Sequence, residues 1–259
     1  AKSHRSSLDK RYYMAIKRII AFGDSWTYGD ELLDPQFSAY PDSGMLDHYD
    51  ENKKYRLDHC YAGRVATHYG VEFENLAFPG SSLESMRWTL QWVLNNSRDE
   101  LKDTLWLVGL TDSSRQSWFN PFHEVGRKDP PWNRHMHGTW LVQPNSDIDE
   151  NWFKLQKLWL GMSYHREWSG FNFQQTINLF EHAQHTTGAT VLQFSVLENN
   201  FACSTPSLLY PGMNWRSILT SQQKDHGNLF AKGGHPNEKG HEIISKHLIE
   251  HIKYAKLIA

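Results

Sequence analysis

A chain of 259 residues can bury a core large enough to fold without cross-links. Its two cysteines, Cys60 and Cys203, are too few for a disulfide framework and do not form a C-x-x-C metal or redox motif, and whether they pair stays open. A formal net charge of -2 gives no electrostatic basis for binding nucleic acid or an anionic membrane surface, and no run of about eighteen apolar residues exists to form a spanning helix.

The residues before Met14 are basic without an apolar stretch, so they are no intact secretory signal. They are expected to be a tag or a processing remnant ending at Lys10-Arg11, with residues 14–259 forming one domain. Ile19 to Phe22, within Lys17 to Trp26, is a short apolar run of the kind that makes a buried strand, and Gly23, Asp24 and Ser25 end it abruptly. Ligands in open α/β sheets bind at the carboxyl edge of the strands, which makes Ser25 a candidate nucleophile; an ordinary turn is the alternative reading. Glu31 to Asp58 is polar and reads as a long loop near that edge. Tyr61, Val65 and Tyr69 lie four apart and predict a helix closed by Gly70.

A second strand is expected over Val71 to Ala77. The turn Phe78-Pro79-Gly80 follows it, and Ser81 with Glu84 resembles a capping box for a helix near Ser82 to Asn95. Thr104 to Leu110 predicts a third strand that runs into Thr111. From Ser117 to Asp149 no period is clear and Pro121, Pro130, Pro131 and Pro144 break any helix, so an insertion is expected at about 117–170. Glu150 to Thr187 reads as helical, with a break around Ser169-Gly170, and Ala189 to Val196 as a fourth strand. Leu197 to Gly234 reads as irregular. His235-Pro236 then holds an extended step before Asn237, a good N-cap for a last helix whose Ile244, Leu248 and Ile252 form a buried stripe. The alternation predicts one three-layer α/β/α domain with a mostly parallel sheet, in which the strand ends at Ser25, Gly80 and Thr111 lie side by side.

Four blocks in this order carry a resemblance: GDSW at Gly23 to Trp26, Gly80 within NLAFPGSS, GLTD at Gly109 to Asp112, and HPNEKGH at His235 to His241. The chain resembles the SGNH, or GDSL-type, hydrolases, across most of residues 17–259. The resemblance implies a flavodoxin-like fold and cofactor-free ester hydrolysis. Ser25 would be the nucleophile and His235 the general base, with an oxyanion hole made by the amides of Ser25 and Gly80 and a side chain at position 111. Two positions depart from the pattern. Thr111 stands where an Asn usually donates to the oxyanion, and Lys232 stands where an Asp usually orients the histidine. Losing one such donor typically costs about 10² to 10³ in rate. A carboxylate from another loop can replace the missing acid, and Asp225 and Glu198 are the candidates.

Around this core Trp26, Asp112 and Arg115 are candidate substrate-binding residues, Arg115 being expected to form an ordinary surface pair. Trp118, Trp132, Trp140, Trp152, Trp159 and Trp168 fall in the insertion and the helical segment after it, and flat indole faces suit sugar rings as well as they fill a small core. The expected substrate is therefore an acylated carbohydrate or other small ester, with no nucleic-acid partner, no metal and no cofactor. His135-Met136-His137 lacks a third ligand for a metal site. The competing expectation is a weak or inactive relative that binds glycan or a protein partner, favoured by Thr111 and Lys232.

Overall fold

The computed structural model describes residues 16–37, 52–113, 115, 154, 166–197, 207–255 and 257. Its centre is a five-stranded, all-parallel sheet of β1 (Arg18–Phe22), β2 (Glu72–Asn75), β3 (Thr104–Leu110), β4 (Thr190–Ser195) and β5 (Leu208–Asn214), in the order β2-β1-β3-β4-β5. That is the flavodoxin-like order, and its switch point lies between β1 and β3, where the chain leaves in opposite directions. Around the sheet lie α1 (Ser25–Tyr28), α2 (Lys53–His59), α3 (Tyr61–Tyr69), α4 (Leu83–Ser97), α5 (Arg166–Thr187), α6 (Trp215–His226) and α7 (Glu238–Tyr254).

Alternate residues of each strand face opposite sides, so the sheet divides the core in two. Ile19 and Ala21 of β1 with Leu105 and Leu107 of β3 pack under α3, α6 and α7, where Val65, Leu219, Ile244 and Leu248 meet them. Ile20, Phe22, Trp106 and Val108 face the other way, onto Met86 and Leu90 of α4 and Ile177 and Phe180 of α5. Fully burying each such side chain contributes about 1.5 to 3 kcal/mol, which outweighs the weak strand propensity of any single residue. On the second face Phe22 sits 5.6 Å from Trp106 and 5.1 Å from Phe180, ring centre to ring centre. The indole N–H of Trp106 is satisfied by Thr104 Oγ1 at 2.9 Å, so burying this ring costs no hydrogen bond.

Several expectations change. Leu197 to Gly234 is not wholly irregular: it contains β5 and α6. Pro211 and Gly212 within LLYPGMN hide the strand, which is tolerable because β5 lies at the sheet edge. The Glu31 to Asp58 stretch ends in α2 rather than remaining a loop. The helix after the second strand starts one residue later than expected: Ser82 is its N-cap, and the box is closed by Ser85 Oγ, not by Glu84. No break occurs at Ser169-Gly170, which lie inside α5. Residues 116–153, with His135 and His137, are outside the described residues, as are Glu198 and Cys203. Cys60 is buried and free, and burial pushes its thiol up to about 11, so it is chemically quiet. Among the described residues no helix is long and apolar enough to cross a membrane, and no group of three or more His, Cys, Asp or Glu residues is placed to hold a metal ion.

Candidate active site

Gly23 follows the end of β1, and a Cβ there would lie 2.1 Å from Thr27 Oγ1; a Cβ on Gly109 of β3 would lie 2.3 Å from the same atom. The two glycines let the single turn of α1 sit directly on the ends of β1 and β3, with Thr27 fully buried between them and bonded to the Tyr61 hydroxyl at 2.6 Å. Asp24 caps that turn, accepting from the Trp26 amide, which places Ser25 at its first position. Asn75 at the end of β2 donates to the carbonyls of Thr27 and Tyr28, fixing the same turn from the other side.

Asp24 is entirely buried, and its second oxygen accepts from the Thr111 hydroxyl at 2.7 Å and from Arg115 Nη1 at 3.1 Å. The same guanidinium nitrogen also donates to the Ser81 carbonyl. Arg115 thus joins the loops after β1, β2 and β3. Its expected surface pairing is corrected to a buried one, because only 14% of its side chain is exposed. Thr111 is corrected too: its hydroxyl donates to Asp24 from a fully buried position instead of presenting itself as an oxyanion donor. Trp26 is also core, 4% exposed and edge-on to Phe230, so it offers no face to a substrate. Asp112 is half-buried beside the site, its carbonyl accepting from the Arg115 amide.

His235 arrives from the far end of the chain. Phe230 and Pro236 form an antiparallel bridge, the Ala231 amide donates to the His235 carbonyl, and the Asn237 amide donates to Leu229. Asn237 caps α7, as its position after His235-Pro236 predicts. The ring of His235 stands 2.9 Å from Ser25 Oγ through Nε2 and 2.7 Å from Glu31 Oε2 through Nδ1. Among the described residues Glu31, not Asp225, is therefore the carboxylate behind the imidazole, and Glu198 lies outside them. Asp225 lies exposed on α6 and the Lys232 side chain is exposed as well. Glu31 reaches back because it follows α1 in a left-handed conformation, φ 64°. Its carboxylate also accepts the amides of Gly233 and His235. Gly233 is needed for that approach, since a Cβ there would lie 2.7 Å from Glu31 Oε2.

Burial pushes the Glu31 carboxyl up, but the Gly233 amide, the His235 ring and the His235 amide outweigh it and hold the group below its ordinary value. An ionised Glu31 only accepts, so Nδ1 carries the proton and Nε2 turns a lone pair to Ser25. Asp30 lies on the other side, its Oδ2 3.9 Å from His235 Nε2. Burial raises its carboxyl, with the His235 charge and the Glu31 amide partly offsetting that rise. Among the described residues the amides of Ser25 and Gly80 donate to no protein acceptor, and Gly80 has φ 76° at the loop after β2.

The second histidine of the last block has a structural position. His241 is fully buried on α7, and its Nδ1 accepts the amide of Tyr61, the first residue of α3, which satisfies one of that helix's otherwise orphaned donors. Burial, followed by the charges of Arg64 and His235, pushes it from 6.5 down to about 3. The unfolded chain takes up this proton as pH falls below 6.5, whereas the folded one stays neutral until about 3, so stability falls across that window. Between pH 7 and pH 5 this group alone should remove about 2 kcal/mol. Urea unfolding of His241→Asn, which keeps an acceptor for Tyr61, should show an acid-side loss smaller by that amount.

No family model matches the chain, and no curated protein matches it. Among solved structures it is similar to a member of the lipolytic protein G-D-S-L family from Veillonella parvula DSM 2008, at 12% identity and TM-score 0.46 over 92% of this chain and 98% of that one. It is similar to a carbohydrate esterase family 2 enzyme with a carbohydrate binding domain from Corynascus thermopiles, at 13% identity and TM-score 0.46, covering 92% of this chain and 66% of that one. An acetyl xylan esterase from the rumen bacterium Butyrivibrio proteoclasticus is similar at 12% identity and TM-score 0.44, over 93% of this chain and 64% of that one.

Proposed function

We propose that the chain is a serine-dependent ester hydrolase acting on an acylated carbohydrate, with Ser25 as nucleophile, His235 as general base and Glu31 as the acid that orients it. The observation that carries this reading is the unbroken line from Glu31 Oε2 to His235 Nδ1 at 2.7 Å and from His235 Nε2 to Ser25 Oγ at 2.9 Å. Nε2 takes the Ser25 proton as Oγ attacks the ester carbonyl, and Glu31 stabilises the imidazolium that forms. The amides of Ser25 and Gly80 receive the oxyanion. The imidazolium then protonates the leaving alcohol, and water repeats the sequence on the acyl-enzyme.

The carbohydrate part rests on the aromatic content and on one local feature. Trp168 and Phe171 of α5 are stacked at 5.7 Å and exposed, 43% and 53%, beside the α4 end that Asn172 joins through Arg87 and Glu84. Such exposed flat faces suit sugar rings. Against catalysis stands the Thr111 hydroxyl, committed to Asp24, which favours the second reading of a fold that binds glycan without turning it over.

A fluorophosphonate probe separates the two. Wild type should be labelled, Ser25→Ala should not, and His235→Ala should be slowed by at least about 10³-fold, with p-nitrophenyl acetate hydrolysis following the same order. A folded wild type that takes no label would sink the esterase reading and leave glycan binding as the function.

A further inference from the structure

Asp30 is a second carboxylate at the proposed site, and the relay from Glu31 to Ser25 does not use it. Its backbone amide donates to the Ser25 carbonyl at 2.9 Å, so it is fixed to the turn that carries the nucleophile. One carboxylate oxygen, Oδ1, accepts from the Glu31 amide at 3.2 Å. The other, Oδ2, has no protein donor within hydrogen-bond distance among the described residues, lies on a side chain only 16% exposed, and stands 3.9 Å from His235 Nε2. A water about 2.8 Å from Nε2 can lie about 2.8 Å from Oδ2 as well, because two such contacts span a separation of 3.9 Å comfortably. Once Ser25 is acylated its Oγ no longer holds a proton for Nε2, and the incoming water must take that place.

We propose that Asp30 holds the hydrolytic water against His235 for the second half of the reaction, accepting one of its protons in a hydrogen bond while His235 Nε2 accepts the other. This rests on the esterase reading. The water oxygen bonds to the acyl carbon, its proton passes to Nε2, and the tetrahedral intermediate collapses by breaking the bond to Ser25 Oγ. That oxygen recovers the proton from His235, and the carboxylic acid leaves. Asp30 gains and loses no proton; it aims a lone pair of the water at the acyl carbon. Acylation needs no water, so this positioning role is confined to the second half.

The two halves are separable by experiment. In Asp30→Asn, whose amide nitrogen and oxygen cannot both serve as the acceptor, kcat for p-nitrophenyl acetate should fall roughly 10- to 100-fold, KM should fall with it, and a burst of p-nitrophenol equal to the enzyme present should appear. The fluorophosphonate labelling rate should stay within about threefold of wild type. Asp30→Ser provides the same comparison should the Asn variant fail to fold. An unchanged kcat, or labelling and turnover falling together, would overturn the role of Asp30 in water positioning. A wild type that takes no label would instead remove the esterase reading itself, which keeps the two failures distinct.

Discussion

Glu31→Gln should slow both fluorophosphonate labelling and ester turnover by roughly 10³- to 10⁴-fold while leaving Ser25 and His235 in place. The amide nitrogen of a glutamine can donate to Nδ1, which favours the tautomer carrying its proton on Nε2, and that nitrogen then has no lone pair for the Ser25 hydroxyl. Charge is lost with it: the carboxylate accepts from Nδ1 at 2.7 Å and from Gly233 at 2.7 Å, and among the described residues no other carboxylate stands behind the ring. The Glu31 carboxyl is held below its ordinary 4.5, so its contribution to stability is present above that value and disappears as pH falls through the lower folded one. Stopped-flow labelling of the two proteins at neutral pH measures the catalytic part. Equal labelling rates would show that the ring needs no carboxylate behind it.

Arg115→Met should destabilise the fold by about 3 to 5 kcal/mol, the cost of leaving a buried carboxylate without its counterion. Asp24 has no exposed surface, and Arg115 is its cationic partner at 3.1 Å. The same change frees the loop after β2, whose Ser81 carbonyl accepts from the guanidinium. Urea unfolding should therefore report the loss, and the double variant Asp24→Asn with Arg115→Met should lose clearly less than the two single changes added together, because the unpaired charge is gone. Strict additivity would mean that the pair contributes nothing as a pair.

The strands were legible where burial is continuous. β3 is seven buried residues in a row and its limits, Thr104 and Leu110, are those expected from its apolar run. The ends of β1, β2 and β4 shift by only one or two residues. β5 and α6 were missed for opposite reasons: the strand contains two residues that normally end strands, and the helix is polar enough to read as loop. At the site, Ser25 and His235, which the structure brings to 2.9 Å, were legible as candidates because each sits at an abrupt change of pattern. Glu31 was not, because it lies in a polar stretch among other acids and acts through a left-handed backbone step that no side-chain spacing betrays. The sequence signal was present in one respect. Gly233, two residues before His235, marks a place where something must come close, and that something is the Glu31 carboxylate.

Ser25 and Glu31, the proposed nucleophile and orienting acid, lie six positions apart, at the start of α1 and just beyond its end, whereas His235, the proposed base, is separated from Ser25 by 210 residues. Joining ends that far apart costs about 5 kcal/mol in loop-closure entropy, and the bonds made by one histidine cannot supply it. The docking of α3 on α7, with its core of Val65, Ile244 and Leu248, must supply it instead. A serine that reacts is therefore a report on the whole sheet: nearly the full length of the chain has to be in place before the first strand and the last helix can meet.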